Sequence, residues 1–220
     1  MEQCHKAKDT LFEATNQAIK LQLETLANKE FPTLNEDAEA AMRSVIEQAA
    51  QVGDSVGGIL ESAVIGLPAG VGEPFFDSLE SVIAHYLYSV PAVKGVSFGF
   101  GFAFANAYGS QVNDAILFDQ NKVQTKTNHN GGINGGISNG MPIIIHTCIK
   151  PTPSIYKEQE TIDRISHEAQ ILQIQGRHDP AIIHRACVVI DSVLALAILD
   201  LYMERCASLS IQAKRKEENL

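Results

Sequence analysis

The sequence lacks the cysteine spacing of a metal site or of a disulfide framework. Its four cysteines are Cys4, Cys148, Cys187 and Cys206, and no two of them form a CxxC pair. This scattering argues against a structural zinc site and suggests no set of paired disulfides. We therefore expect no bound metal, reduced thiols and a cytoplasmic location.

An excess of positive charge, a secretory signal and an uninterrupted apolar run are also missing. The formal net charge is −9, which argues against a general affinity for nucleic-acid phosphates but leaves room for a local basic pocket. The opening residues, MEQCHKAKDTLF, contain no apolar segment of the secretory type. Asp191, Ser192 and Asp200 interrupt the longest apolar stretch, which predicts a buried helix rather than a membrane span. Nucleic acid and membrane are not expected partners.

Helical and strand-like patterns alternate along the chain without a nucleotide-binding fingerprint. No GxGxxG motif opens a helix after a strand, and no GK[ST] follows the glycine-rich segment. Thr33 and Glu36 stand at the spacing of a capping box before the second helix. The fold class is α+β or a mixed layered α/β fold. The patterns predict helices over about 5–28, 33–53, 73–90 and 179–208, and strands over about 55–68, 92–109, 117–128 (a hairpin turning at 119–122), 141–150, 160–166 and 169–175.

The segment NHNGGINGGISNG, residues 128–140, concentrates glycine in one place. Glycine is used where the backbone turns sharply or lets another group approach closely. Two interpretations are equally supported by the residues alone. One is a tight turn between strands, and the other is a cradle whose backbone amides bind an anion or a cofactor.

Two further segments combine a cation with hydrogen-bonding groups. KPTPSI, residues 150–155, follows a predicted buried strand and is either a rigid exit from that strand or a phosphate-binding loop. In GRHDP, residues 176–180, Asp179 and Pro180 have the pattern of a helix N-cap followed by proline at the first helical position. That pattern does not explain Arg177 and His178, which would make the helix start electropositive and suited to an anion.

Taken together, seven segments resemble the chorismate synthase family in their order and spacing. They are GDSVGG, GLPAGVGEPFFDSLE, SVPAVKGVSFGFGF, GSQVND, TKTNHNGGINGGISNGMPI, IKPTPSI and GRHDPAIIHRA, and the resemblance runs from about Pro32 to Cys206. It implies a layered β-α-β sandwich assembled as a homotetramer. It also implies the conversion of 5-enolpyruvylshikimate 3-phosphate to chorismate by anti-1,4-elimination of phosphate in the shikimate pathway of aromatic amino-acid biosynthesis. The cofactor implied is reduced FMN, and NADP is associated with the family.

The resemblance also implies roles for particular residues. Asp179 is the catalytic acid–base candidate, relaying a proton while the flavin takes the ring hydrogen, and the protein supplies position and field to the cofactor. The glycine-rich segment is implied to let the backbone approach the flavin. The implied cofactor contacts are Pro91, Ala92, Gly135, Lys150, Pro151, Thr152, Pro153, Ser154 and Arg177.

The chain departs from the family pattern in two places. Where family members carry DPC and then PRAVP, this chain reads DPAIIHRACVV, a change expected to affect helix packing. We find no GESHG-type histidine, arginine-rich stretch, second catalytic histidine or RSS-type flavin contact, so we expect a fold that is incomplete at its N-terminus. The predicted division is an unmatched helical segment at 1–31, a chorismate synthase-like domain at 32–208 and a charged solvated tail at 209–220.

Three hypotheses for function remain open from the sequence. The first is chorismate synthase in an incomplete chain that carries most of the flavin site. The second is a catalytically incomplete flavin-binding or assembly module derived from that enzyme. The third, from residue chemistry alone, is a protein that binds a phosphorylated metabolite.

Overall fold

A computed structural model describes residues 16–119 and 122–218 of the chain. Helices and antiparallel strands occur together in these ranges, which confirms the predicted α+β class. The predicted helical residues 5–15 and the centre of the predicted turn, 120–121, lie outside the described residues. The elements in chain order are α1 Asn16–Leu26, α2 Glu36–Gln51, β1 Gly58–Val64, α3 Leu79–Tyr88, β2 Val93–Phe98, a 3₁₀-helix Gly101–Asn106, α4 Gly109–Val112, β3 Ile116–Asp119, β4 Lys122–Thr125, β5 Ile133–Asn134, β6 Ile137–Ser138, β7 Ile143–Ile149, β8 Gln159–Ile162, β9 Ala169–Leu172 and α5 Ile183–Glu218.

A three-stranded antiparallel sheet in the order β1-β7-β2 organises the domain. The apolar strand β7 takes the central position, where both of its edges are paired. Its last residue, Ile149, pairs with Gly58 on one side and with Val93 on the other. The residues that follow β7 and those that precede β1 and β2 therefore meet at one end of the sheet, which we call the lysine end because Lys150 follows Ile149 there.

Two helices cover one face of this sheet. Alternate residues of a strand point to the same side, and the odd-numbered isoleucines of β7 pack against α3 and α5. On the opposite face Ile144 packs against Ile19 of α1, whereas Ile59 of β1 is 62% exposed. The sheet thus has one fully packed face and one partly covered face. The buried side chains of the main core are Leu67, Val71, Leu79, Ile83, Leu87, Val93, Ile133, Ile143, Ile145, Ile149, Ile190, Leu194, Ala197 and Leu201.

The start of α2 differs from the predicted capping box. The helix begins at Glu36, and the side chain of Asn35 accepts a hydrogen bond from the backbone N–H of Ala38 at 3.0 Å. The predicted box at Thr33 and Glu36 is therefore wrong, because an equally good capping side chain stands two residues later. The Thr33 hydroxyl instead donates to Glu39 at 3.2 Å.

The last helix, α5, begins later and ends later than its pattern predicts. It starts at Ile183, where the backbone carbonyl of Ile182 accepts from the N–H groups of Arg185 and Ala186. It continues past the predicted end at residue 208 to Glu218. The terminal run AKRKEE consists of good helix formers, which extend an existing helix without needing burial.

Short hairpins connect the larger elements. The pairs β3–β4 and β8–β9 confirm the predicted hairpin at 117–128 and the two short strands beyond β7. The predicted strand at 92–109 is shorter than expected, because β2 ends at Phe98. The next residues include Gly99 and Gly101, which adopt φ of +54° and +56°. These left-handed conformations, which glycine accepts readily, turn the chain into the 3₁₀-helix.

Candidate functional site

Residues from separate parts of the sequence meet at the lysine end of the sheet. The backbone N–H of Lys150 donates to the carbonyl oxygen of Ala92 at 2.9 Å. Ala92 has φ of +74°, a left-handed conformation that costs a non-glycine residue about 1–2 kcal/mol. Pro91, the residue before it, is exposed. The structure therefore brings together the predicted contacts of the SVPAVKG and KPTPS segments, with one of them held in a strained backbone conformation.

The segment that leads into β1 packs against the KPTPS loop and holds it in place. The Ser55 hydroxyl donates to the Thr152 carbonyl at 2.6 Å. A Cβ atom at Gly57 would lie 2.4 Å from the Ile149 carbonyl oxygen and 3.0 Å from the Pro151 ring, so only glycine allows this close approach. Ser55 and Gly57 both belong to the GDSVGG motif, whose pattern alone assigns no role to either residue.

Within the KPTPS loop, one buried hydroxyl has no hydrogen-bond partner among the described residues. Thr152 Oγ1 is buried and makes no hydrogen bond to any described part of the chain. A buried hydroxyl without a partner is unfavourable by about 1–3 kcal/mol, so such a group calls for a ligand or a water molecule. Ser154 is half-buried in the same loop, and Pro151 and Pro153 are exposed.

The GRHDP segment joins the lysine end through its backbone. The Pro180 carbonyl accepts a hydrogen bond from the N–H of Val56 at 2.8 Å. The ring of His178 packs edge-on against the ring of Tyr156, with 4.6 Å between the centroids. Arg177 is exposed beside them in sequence. Because Val56 stands two residues before Gly58, where β1 begins, this hydrogen bond places Pro180 at the lysine end of the sheet.

Asp179 does not cap the last helix. Its carboxylate accepts two hydrogen bonds from the guanidinium of Arg185, at 2.8 and 3.2 Å, and α5 begins only at Ile183. The predicted N-cap at Asp179 with proline at the first helical position is therefore wrong, because a bidentate guanidinium competes for the carboxylate. The pair lies at the surface, with 33% of the Asp179 side chain and 60% of the Arg185 side chain exposed.

Two cations at this end lack an acidic partner. Lys157 pairs with Asp54 at 2.7 Å, and Arg185 pairs with Asp179. Across residues 16–119 and 122–218, by contrast, no carboxylate lies within ion-pair distance of Lys150 or Arg177. Uncommitted cations in segments that meet at the same end of the sheet as an unsatisfied hydroxyl suit an anionic ligand such as a phosphate group.

The glycine-rich segment lies at the other end of the sheet. Gly135 and Gly136 form the two-residue turn between β5 and β6, with φ of +60° and +82°. Two successive positive φ values are typical of the type I′ turn, which suits the twist of a hairpin. The Gly136 carbonyl accepts from the N–H of Leu79, at the start of α3, whereas Ala92 follows the end of α3.

Gly135 is therefore not brought to Lys150 within this chain. The seven residues of β7 separate the two ends of the sheet by about 20 Å. A Cβ atom at Gly135 would have no atom of the described chain within 4 Å, so open space lies beside this residue of the turn. Its role as a flavin contact stays a prediction.

A buried carboxylate that the sequence analysis did not assign holds the start of the glycine-rich segment. Asp114, with 2% of its side chain exposed, accepts from the backbone N–H groups of His129 and Asn130 at 2.8 and 2.9 Å. It also accepts from the Thr127 hydroxyl at 2.7 Å and lies 3.1 Å from His129 Nδ1. Burial alone would raise the pKa of Asp114, but these hydrogen bonds outweigh it and hold the pKa below its usual value. The GSQVND motif contained this residue.

In the part of the chain that the structure describes, no three histidine, cysteine, aspartate or glutamate side chains are grouped closely enough to hold a metal ion. Cys148, Cys187 and Cys206 are free thiols. The chemistry available at the lysine end is therefore that of cations, hydroxyls and the Asp179 carboxylate.

Comparison with known protein families identifies what this chain is similar to. The family model described as chorismate synthase matches residues 5–203. The match includes residues 5–31, which the motifs alone left unassigned, so the proposed division at residue 31 stays a prediction.

Individual relatives and a solved structure agree with the family model. The chorismate synthase of Methanobrevibacter smithii is 48% identical over 164 residues, covering 74% of this chain and 45% of the relative. That of Pyrococcus abyssi is 43% identical over 84% of this chain and 52% of its own length. A crystal structure of chorismate synthase superposes with a TM-score of 0.73 at 26% identity, covering 91% of this chain and 53% of that one. The chain spans about half the length of the curated relatives it matches.

Proposed function

The chain belongs to the chorismate synthase family, and we propose that it supplies the flavin-binding part of an enzyme that eliminates phosphate from 5-enolpyruvylshikimate 3-phosphate to form chorismate. The observation that carries the proposal is the pair of uncommitted cations, Lys150 and Arg177, with the unsatisfied Thr152 hydroxyl at one end of the sheet. A cytoplasmic location and assembly into a homotetramer are part of the same proposal.

The residues at the lysine end fit an anionic cofactor such as FMN. Lys150 and Arg177 would hold negative charge on its phosphate, and Thr152 Oγ1 would complete its hydrogen bonding there. The strained backbone at Ala92 exposes the preceding proline toward solvent at the same end. When bound, the reduced flavin would supply the electron density needed to break the bond to phosphate, and the protein would position it.

Asp179 is the group of this chain that would move a proton. An ionised carboxylate can accept a proton at Oδ1 or Oδ2, and Arg185 now occupies both oxygens. The guanidinium orients the carboxylate in the free chain, and its exposure leaves it able to swing away. Proton transfer at Asp179 therefore requires that at least one of the two hydrogen bonds opens or is shared.

Flavin titration tests the cofactor site directly. Quenching of FMN fluorescence should report weak binding by the chain alone, and Lys150→Ala and Arg177→Ala should each weaken it by about tenfold, since each removes a charge that faces an anion. Lys157→Ala is the matched control, because Lys157 is already neutralised by Asp54. Equal FMN affinities for wild type and all three variants would show that the flavin does not bind at the lysine end.

A second candidate function is a flavin-binding or assembly module without turnover. It is favoured by the fact that the chain spans only 45–52% of the relatives named above. Orienting a phosphorylated dicarboxylate requires several fixed cations, and few uncommitted ones lie near Asp179.

An anaerobic assay of chorismate absorbance separates the two functions. We expect no chorismate above background from the 220-residue chain with reduced FMN and substrate. Activity should appear when the unmatched half of the Methanobrevibacter smithii relative is fused to its N-terminus. Turnover by the short chain alone would show that the site is self-contained, and an inactive fusion that still binds FMN would favour the module.

A further inference from the structure

Tyr156 joins three segments that are separate in the sequence, and it follows the KPTPSI segment directly. Its backbone N–H donates to the Gly53 carbonyl at 3.0 Å, and its own carbonyl accepts from the side-chain amide of Gln173 at 2.9 Å. A Cβ atom at Gly53 would lie 3.0 Å from that of Tyr156, so the two backbones are in close contact. Tyr156 therefore lies where the chain leaving α2, the KPTPSI segment and the chain leaving β9 come together.

The side chain of Tyr156 contacts His178 through both its ring and its hydroxyl. The two rings pack edge to face, with 4.6 Å between their centroids, which is a favoured geometry for aromatic pairs. The Tyr156 hydroxyl accepts a long hydrogen bond, of 3.4 Å, from the backbone N–H of His178. On the imidazole itself, Nε2 lies 3.1 Å from the Ile174 carbonyl, and it donates there because a carbonyl oxygen can only accept. The ring and the backbone of His178 are therefore both held in place.

The stretch that contains His178, residues 174–179, has few other attachments. Among the described residues, its hydrogen bonds to the rest of the chain are the bond from His178 to Tyr156 and the exposed pair of Asp179 with a guanidinium. Arg177, within this stretch, is exposed and has no acidic partner in the described chain. The position of Arg177 is therefore set through its neighbours, and the neighbour that packs on another part of the domain is His178.

We propose that Tyr156 is a positioning residue for the lysine end, because by holding His178 it fixes the two residues beside it relative to the KPTPS loop. Those neighbours are Arg177 and Asp179. The loop that begins at Lys150 ends two residues before Tyr156, so one side chain connects the segments that carry the two uncommitted cations.

This connection matters for an anion that is bound by cations on two segments. Such an anion binds tightly when the segments are already held at the right spacing, because binding then requires less ordering of the chain. The inference rests on the proposed cofactor site and adds to it a residue that acts through His178 rather than by touching the cofactor.

Limited digestion with trypsin tests the contact between Tyr156 and His178 without any flavin. Cleavage after Arg177, located by peptide mass spectrometry, requires local opening of the stretch, so Tyr156→Leu should accelerate it by about fivefold. Tyr156→Phe keeps the ring and should stay within about twofold of wild type. Cleavage after Arg164, which is exposed at the turn of the β8–β9 hairpin, is the internal reference and should not change. Tyr202→Leu is the matched control, because Tyr202 is 42% exposed and Tyr156 is 48% exposed, and circular dichroism should show that all variants are folded.

FMN titration in a double-mutant cycle tests whether Tyr156 acts through Arg177. Tyr156→Leu should weaken FMN binding by about fivefold in the wild-type chain but by less than about twofold in Arg177→Ala, where the cation that it positions is absent. In Lys150→Ala, which removes the cation on the other segment, the loss of about fivefold should remain. Tyr156→Phe should bind FMN with nearly wild-type affinity.

The two measurements separate this inference from the cofactor proposal. Unchanged cleavage after Arg177 in Tyr156→Leu would overturn the inference, and so would faster cleavage after both arginines, which indicates general loosening. An equal loss of FMN affinity in all three backgrounds would also overturn it, because a structural role alone predicts that result. If the wild-type chain bound no FMN, the proposed cofactor site would fall, whereas faster cleavage after Arg177 alone would still support the role of Tyr156 in holding this stretch.

Discussion

Replacing Asp114 with asparagine should loosen the glycine-rich segment from the rest of the domain. The carboxylate binds three nearby residues, Thr127, His129 and Asn130, which lie 13–16 residues after Asp114 in the sequence. Asparagine keeps one acceptor oxygen, which can still receive the bonds now made to Oδ1. Its amide nitrogen replaces Oδ2 and would face the N–H of Asn130, so two donors would oppose each other at a site where 2% of the side chain is exposed.

The expected loss in the free energy of unfolding follows from the single hydrogen bond that is lost, the one from the Asn130 N–H. A hydrogen bond to a charged group contributes about 1.5–3 kcal/mol, and a buried donor left unpaired adds to the loss. Solvent near the exposed Thr127 screens part of the charge, so we expect Asp114→Asn to lower the free energy of unfolding by about 2–3 kcal/mol. That corresponds to a fall of about 5–10 °C in the melting temperature for a domain of this size.

The pH dependence of this loss has a definite sign. The pKa of Asp114 is lowered in the folded chain, so its contribution is fully present above the unfolded value of about 3.9 and disappears as the pH falls through the folded value. The difference between wild type and Asp114→Asn should therefore be present above about pH 5 and shrink below about pH 4.

Urea unfolding followed by circular dichroism measures this difference, with Asp163→Asn as the control. Asp163 also accepts two backbone N–H groups, from Ile165 and Ser166 at 2.7 and 2.8 Å, but it lies at the turn of the β8–β9 hairpin. Asp163→Asn should lower the free energy of unfolding by less than Asp114→Asn does. If Asp114→Asn were no more destabilising than Asp163→Asn, the carboxylate would not anchor the segment.

Three further substitutions separate structure from function. Gly136→Ala should be clearly destabilising, because φ is +82° and the new Cβ would lie 2.7 Å from that of Ser78, whereas Gly135→Ala should cost only about 1 kcal/mol for its left-handed backbone. Differential scanning calorimetry of both variants checks this order, and titration should show that Gly135→Ala leaves the FMN affinity of the isolated chain unchanged. Asp179→Asn should change stability by less than about 1 kcal/mol, because its pair with Arg185 is exposed. In an active fusion it should lower turnover by about 10²–10⁴-fold, and near-normal turnover would leave Asp179 with a structural role alone.

Those parts of the fold that depend on periodicity and turn chemistry were predictable from the sequence. The run IIIHTCI predicted a buried strand, and it forms the centre of the sheet as β7. The hairpin between β3 and β4 followed from turn residues between two apolar runs. The ends of helices were less predictable, because the choice between Thr33 and Asn35 as a cap depends on the path by which the chain enters α2.

The start of α5 shows why a good local pattern can fail. Asp179–Pro180 satisfies the rules for a helix start, yet the carboxylate binds Arg185, six residues away. Local rules compare a side chain with its own backbone and do not include a competing guanidinium. The same limit hid Ser55 and Asp114, whose partners lie 97 residues and 13–16 residues away.

The motifs alone do not show that the predicted site residues are divided between the two ends of one strand. Resemblance assigns Gly135 and Lys150 to one cofactor and says nothing about the distance between them. The antiparallel pairing of β7 with β1 and β2 separates the two segments, because Ile143 and Ile149 lie at opposite ends of this central strand. Among the described residues, the predicted contacts at Ala92, in the KPTPS loop and in the GRHDP segment meet at one end of the sheet. Lys150 and Gly135 therefore lie toward opposite ends of β7, a strand about 20 Å long, and the roles of both residues as flavin contacts stay predictions.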